Sequence, residues 1–98
     1  MPSLKILRSL RVWMNYRIVF LNSAEKDLKQ IKKDKQVTKK FNALIEVLRE
    51  NPYQPPFKKL EGEWVGFYSR RINLYHRLIY GVDECTKTVK IMSAWGRY

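Results

Sequence analysis

The sequence predicts an α+β domain: one strand, a two-helix hairpin and three further strands, with the hairpin lying on one face of a twisted, mostly antiparallel sheet of four to five strands. Three observations predict it. Branched and aromatic residues cluster just before Asn22, apolar residues recur at helical spacing between Ala24 and Leu48, and three strand-like runs separated by turn residues close the chain.

The segment YRIVFLN opens the domain, since Ile18, Val19 and Phe20 fit a pleated, half-buried surface and Asn22 and Ser23 stop the strand. Asn22, with Glu25 three positions on, has the form of an N-cap with its capping partner, so a helix is expected from Ser23 to Lys33. Ala24, Leu28 and Ile31 fall on one side of it, and Lys26, Lys29, Lys32 and Lys33 decorate the rest. The stretch Asp34-Lys35-Gln36 breaks the pattern. Val37, Phe41, Leu44, Ile45 and Leu48 then define a second amphipathic helix, ending before Asn51-Pro52 because a proline disfavours helical geometry in the residue before it. The following PYQPPFKKLEGEW is too polar and too proline-broken for an internal strand. Trp64 to Ile72, Tyr75 to Val82 and Thr88 to Trp95 supply the remaining strands, with turns at Asn73 and Asp83-Glu84. Such short links favour antiparallel neighbours.

Ninety-eight residues make one core, and 20 Lys and Arg against 9 Asp and Glu leave a net charge of +11, in excess in both halves. A polyanion is the natural partner: nucleic acid, an acidic protein or an anionic membrane. Cys85 stands alone and cannot close an intrachain disulfide, which fits a reduced, cytoplasmic setting. No apolar run approaches the roughly 20 residues of a membrane span, and no Cys/His cluster offers a zinc site. Residues 1–14 interleave Leu4, Leu7 and Leu10 with Lys5, Arg8 and Arg11, unlike a secretion signal. They are expected to be an extension upstream of a usual start at Met14, the alternative being a short amphipathic helix that touches a membrane or a partner. The domain itself is expected to span residues 15–98.

The string YSRRINLYHRLIYGV carries most of the chemistry. Alternation puts Arg77, Ile79 and Gly81 on one side of a strand and His76, Leu78 and Tyr80 on the other. Arg71 and Arg77 flank a tight turn on adjacent antiparallel strands, a geometry that brings two guanidinium groups toward one phosphate. For Arg70 and Arg71 taken alone, a solvated strand edge is the ordinary role. His76, the single histidine, alternates with core residues and is expected to hydrogen-bond a neighbour under the sheet rather than meet a substrate. The ending SAWGRY leaves Arg97 and Tyr98 near the rim of the sheet, where Tyr98 can stack on a base; a frayed terminus is the ordinary alternative.

With SRRI at Ser69 to Ile72, HRLIY at His76 to Tyr80 and a tyrosine at the end, the chain resembles the Txe/YoeB branch of the RelE-like toxins over roughly Tyr16 to Tyr98. These are bacterial toxin–antitoxin modules that cleave mRNA on the ribosome. The resemblance implies a metal-free ribonuclease without a cofactor, in which a 2′-hydroxyl attacks the adjacent phosphate. Such a step needs a base for the hydroxyl, cations for the phosphorane charge and an acid for the departing oxygen. By position, Arg77 matches the family's phosphate-stabilising arginine, Arg71 the second arginine of its SRRI motif, and Tyr98 the terminal tyrosine that orients the nucleotide.

The family's glutamate base falls on Lys58 and its penultimate histidine on Arg97. Arg97 can stabilise charge but is a poor proton donor. Lys58 can serve as a base only if burial and surrounding positive charge depress its pKa. Glu61 is the alternative base, its ordinary role being a surface carboxylate paired with Lys58 or Lys59. Lys32, Lys33, Lys39, Lys40, Lys59 and Arg70 are expected to bind RNA. The implied partners are a cognate YefM/Axe-like antitoxin, the 70S ribosome with its mRNA, promoter DNA through the antitoxin complex, and a second copy of the chain. A catalytically weak or silent homologue acting as an antitoxin-binding co-repressor is the main alternative, and the gyrase-inhibiting relatives of the same fold rank last.

Overall fold

A computed structural model describes residues 15–95. In chain order these form β1 (Arg17–Phe20), α1 (Asn22–Lys32), α2 (Lys35–Glu50), β2 (Lys58–Lys59), a 3₁₀ turn (Gly62–Trp64), β3 (Phe67–Arg71), β4 (Arg77–Asp83) and β5 (Thr88–Ser93). Among the described residues the strands make one five-stranded sheet in the order β1-β5-β4-β3-β2. Neighbours are antiparallel except β1 and β5, which run parallel; the helix hairpin carries the chain from β1 across to β2 at the opposite edge. The expected architecture is observed. The expectation for residues 1–14 lies outside the described residues, and no described helix is long and apolar enough to cross a membrane.

The helices close one face of the sheet. Ala24 and Ile31 of α1 and Val37, Phe41, Leu44, Ile45 and Leu48 of α2 pack with Leu78, Tyr80, Val89 and Ile91, which alternate onto that face of β4 and β5. Full burial of each large apolar side chain contributes about 1.5–3 kcal/mol. Asp34 begins α2: its Oδ1 accepts from the backbone N–H of Gln36 (3.0 Å) and Val37 (3.2 Å).

Several expected boundaries move for local reasons. Asn22 is not the N-cap of α1; Leu21 is, with no side-chain cap. The sheet sets this start, because the Leu21 N–H is already bonded to the Ile91 carbonyl and the Leu21 carbonyl accepts from Ala24. The strand expected from Trp64 begins at Phe67, since the chain first makes the 3₁₀ turn and passes through Gly66 at φ 95°. The strand expected from Tyr75 begins at Arg77, because Asn73 Oδ1 accepts from the N–H groups of Tyr75 and His76 and closes a turn there.

The proline-rich loop is held down by aromatic packing. Tyr80, buried in β4, donates its hydroxyl to the Pro52 carbonyl at 2.8 Å and stacks on Tyr68 at 5.5 Å between centroids. Phe57 and Tyr53 meet Tyr68 edge-on at 5.4 and 6.0 Å. Burial pushes the Tyr80 phenol up to about 12, with the nearby Arg70 pulling it the other way. At the far end of the sheet, Glu84 accepts from Lys87 (2.7 Å), Tyr53 and Tyr16 (2.8 Å), joining that loop to β1 and to the β4–β5 turn. Those three bonds, the one from Lys87 first, hold the Glu84 carboxyl down at about 2.

Candidate active site

The face of the sheet away from the helices carries Lys58 and the Arg71–Arg77 pair. Arg71 and Arg77 are direct partners in the β3–β4 register, as are Ser69 and Ile79, and Lys58 of β2 stands opposite Ser69. Because directly opposite residues project to the same side, Lys58, Ser69, Arg71, Arg77 and Ile79 share this open face. Arg77 Nη1 donates to Ser69 Oγ at 3.2 Å, which fixes its guanidinium over a serine only 2% exposed. Like charges set directly opposite each other on neighbouring strands are destabilising. An anion placed between them would relieve that repulsion.

Aromatic packing of the loop accounts for Lys58. Once Phe57 is seated on Tyr68, the chain continues along the edge of β3 for two residues, Lys58 and Lys59, and turns away at Leu60, whose N–H donates to the Phe67 carbonyl. Lys58 is exposed on that edge. Glu61 is also exposed, at the start of the 3₁₀ turn, and among the described residues it forms no ion pair with Lys58 or Lys59.

Other expected site residues lie elsewhere. Lys59 stands opposite Tyr68, and Arg70 opposite Leu78, so both belong to the helix-side face. Arg70 is spent on the Gln54 carbonyl, where it pins the loop. Lys32, Lys33, Lys39 and Lys40 are exposed on the helix layer, away from the arginine pair. His76 precedes β4 and stacks on Trp95, with centroids 3.8 Å apart and planes at 22°. Arg97 and Tyr98 lie outside the described residues.

Beside the arginine pair is a cavity of about 560 Å³, lined by Leu60, Trp64, Ile79 and Met92 with polar contributions from Ser23, Asp27 and Ser93. Lys58, Arg71 and Arg77 do not line it; the nearest link is Ile79, which lies two residues along β4 from Arg77, a step of about 7 Å. A bulge creates part of its wall. Ile79 pairs with Ser93 and Tyr80 with Ile91, leaving Met92 as the extra residue that turns Ser93 to the open face. At Gly81 an added Cβ would lie 3.3 Å from the Phe67 ring, so the glycine lets that ring lie close over β4. Neither Asp27 nor the bulge was expected from the sequence.

A cationic row beside a part-apolar hollow can hold a phosphate and seat what is attached to it. The family model for YoeB-like toxins of bacterial type II toxin–antitoxin systems matches residues 20–98. The chain belongs to that family. It is 42% identical over 53 residues to Toxin YoeB of Escherichia coli K12, covering 52% of this chain and 63% of that protein. This chain thus spans less than two thirds of the length of the curated YoeB relatives it matches. Among solved structures, the YoeB–YefM heterotetrameric toxin–antitoxin complex of Staphylococcus aureus matches at 36% identity and TM-score 0.72, over 85% of this chain and 98% of that one. The YoeB dimer of the same organism matches at 35% identity and TM-score 0.73, over 86% and 99%. The YoeB fold thus extends over nearly all the described residues.

Proposed function

We propose that this chain is the toxin of a type II toxin–antitoxin module and cuts mRNA in the ribosomal A site. The observation that carries the reading is the register that puts Arg71, Arg77 and Lys58 on one open face beside the cavity. The step is attack of a ribose 2′-hydroxyl on the adjacent phosphorus. The P–O5′ bond breaks, leaving a 2′,3′-cyclic phosphate on one fragment and a 5′-hydroxyl on the other. Arg77, oriented by Ser69, holds the charge that grows on the phosphorane, and Arg71 shares it from the facing strand. Lys58 or Glu61 takes the hydroxyl proton, a water molecule gives a proton to the departing O5′ so that it leaves as the 5′-hydroxyl, Arg97 adds positive charge, and Tyr98 stacks on the nucleotide. No metal is needed in this scheme.

The helix-layer lysines grip ribosomal RNA through its phosphates, a contact that weakens as salt is added. A YefM/Axe-like antitoxin supplies an acidic segment that covers the open face, and the complex binds promoter DNA. A second copy of the chain pairs with it, as in the Staphylococcus aureus dimer. The exposure of Lys58 favours one rival, a silent homologue that keeps only the antitoxin-binding and co-repressor roles.

Primer extension on mRNA translated in vitro separates the two. Discrete cuts at A-site codons support the nuclease, and their absence at micromolar protein abandons it. In the same assay, loss of cutting in Lys58→Ala but not Glu61→Ala names the lysine as base, and the reverse result names the glutamate.

A further inference from the structure

The open face is aromatic at both ends of its cations. Along β3, Phe67, Ser69 and Arg71 alternate onto it, and Trp64, 43% exposed, meets Phe67 edge-on at 5.8 Å between centroids. At the other end Arg71 and Arg77 close the ladder, and the turn between them presents Leu74, 73% exposed, and Tyr75, 61% exposed. This tip is not slack. The Ile72 and Asn73 N–H groups both donate to the His76 carbonyl, at 2.9 and 3.3 Å, and Asn73 Oδ1 accepts from the N–H groups of Tyr75 (2.9 Å) and His76 (2.8 Å). Ile72 is buried in the core on one side of the tip, and on the other the His76 ring lies flat on Trp95 at 3.8 Å. The backbone of Tyr75 is therefore pinned on both sides while the residue stays largely open to solvent. Its Cα lies no more than about 7 Å from that of Arg77, two residues on.

We propose that Tyr75 is a stacking platform for a base of the single-stranded RNA whose phosphate the Arg71–Arg77 pair holds, which makes the tip of the β3–β4 turn part of the substrate site. The inference rests on the reading above that message RNA is what the open face holds. Neither arginine belongs to the ion pairs of the described residues, which are Arg49–Glu46 and Lys87–Glu84. The pair is thus matched to an anion from outside. That occupant must bring negative charge and, within a residue or two of it along the chain, a flat apolar group to cover an exposed ring. A nucleotide carries both, as phosphate and base. Cationic groups set between aromatic ones are the general arrangement for an unpaired strand, whose bases have lost their stacking neighbours. Every base has a flat face, so the platform accepts any of the four at that codon position.

The test measures binding of the full-length chain to ribosomes programmed with a message whose A-site codon is built of 2′-deoxynucleotides, so that no hydroxyl is there to attack. Tyr75→Ala is expected to weaken binding by about 5-fold or more, Tyr75→Leu by a similar factor, and Tyr75→Phe by less than about 2-fold. Replacing the codon's bases one at a time by an abasic residue then asks whether the ring meets a base. At one position the abasic message should cost the parent chain the factor that Tyr75→Ala costs, and should cost Tyr75→Ala nothing more. Additive losses at every position overturn the platform, because a tyrosine that only shapes the turn is blind to the base. Parent-like binding by Tyr75→Leu overturns it as well. Thermal melting accompanies each variant, and Tyr75→Leu, which keeps the bulk, carries the abasic series if Tyr75→Ala does not fold. Should Tyr75→Ala leave ribosome binding intact but change the sedimentation of the chain alone, the tip is a contact between copies and the platform falls. Cutting of the unmodified message scores the nuclease reading separately. A parent that binds through Tyr75 but never cuts loses that reading and keeps the platform, whereas a cutting parent indifferent to Tyr75→Ala loses the platform alone.

Discussion

Along β4, Leu78 and Tyr80 are fully buried against the helices, while the half-buried Arg77 and the buried Ile79, which lines the cavity, project to the other face. The same four residues serve two different faces of the sheet by alternation alone. The helix-side face gains stability from nearly every residue it presents: apolar burial, the Tyr80–Pro52 bond and the Tyr68 stack. The open face gives some of it back, by setting Arg71 directly opposite Arg77. A strained charge arrangement is tolerable there because the other face is so completely packed.

Substitutions on the two faces should therefore separate stability from activity. Leu48→Ala, at a fully buried α2 position beneath the helix-side face, should cost about 2–5 kcal/mol in urea unfolding. Arg77→Ala should do the opposite, melting close to the parent while cleavage falls on the order of 100-fold. Tyr80→Phe strands the Pro52 carbonyl and should lower unfolding free energy by roughly 1–2 kcal/mol, with cleavage retained.

The smallest effect belongs to the far end of the sheet. The folded chain holds Glu84 at about 2, below its ordinary value of 4.5, so its contribution is present above that ordinary value and is lost as pH falls toward 2. Melting curves across that window should show a decline that Glu84→Gln flattens.

How much of this was legible depends on whether a feature is periodic. The hairpin, the core stripes and the Arg71–Arg77 pairing follow from spacing, since SRRI and HRLIY sit on either side of one turn. The alternation that parts Arg77 from His76 also parts Arg71 from Arg70, so Arg70 and Lys59 belong to the helix-side face. Lys58 was legible as a residue but not as a position, because a two-residue edge strand has no pattern and its register comes from Phe57 packing on Tyr68. Asp27 was hidden for another reason. Its partners, Ser93 Oγ and the Ala94 N–H, reach it only because one extra residue at Met92 turns β5, and nothing in an apolar run announces a bulge. His76 was read as part of a strand, whereas the Asn73 turn ends just past it and its ring meets Trp95 instead.

The most direct measurement sets the two layers against each other in single-turnover cleavage of ribosome-bound mRNA. Removing both Arg71 and Arg77 should abolish the chemical step, while replacing Lys32, Lys33, Lys39 and Lys40 together should weaken binding, flatten its salt dependence and leave the maximal rate intact. A full maximal rate without the two arginines would contradict the assignment of the chemistry to the open face.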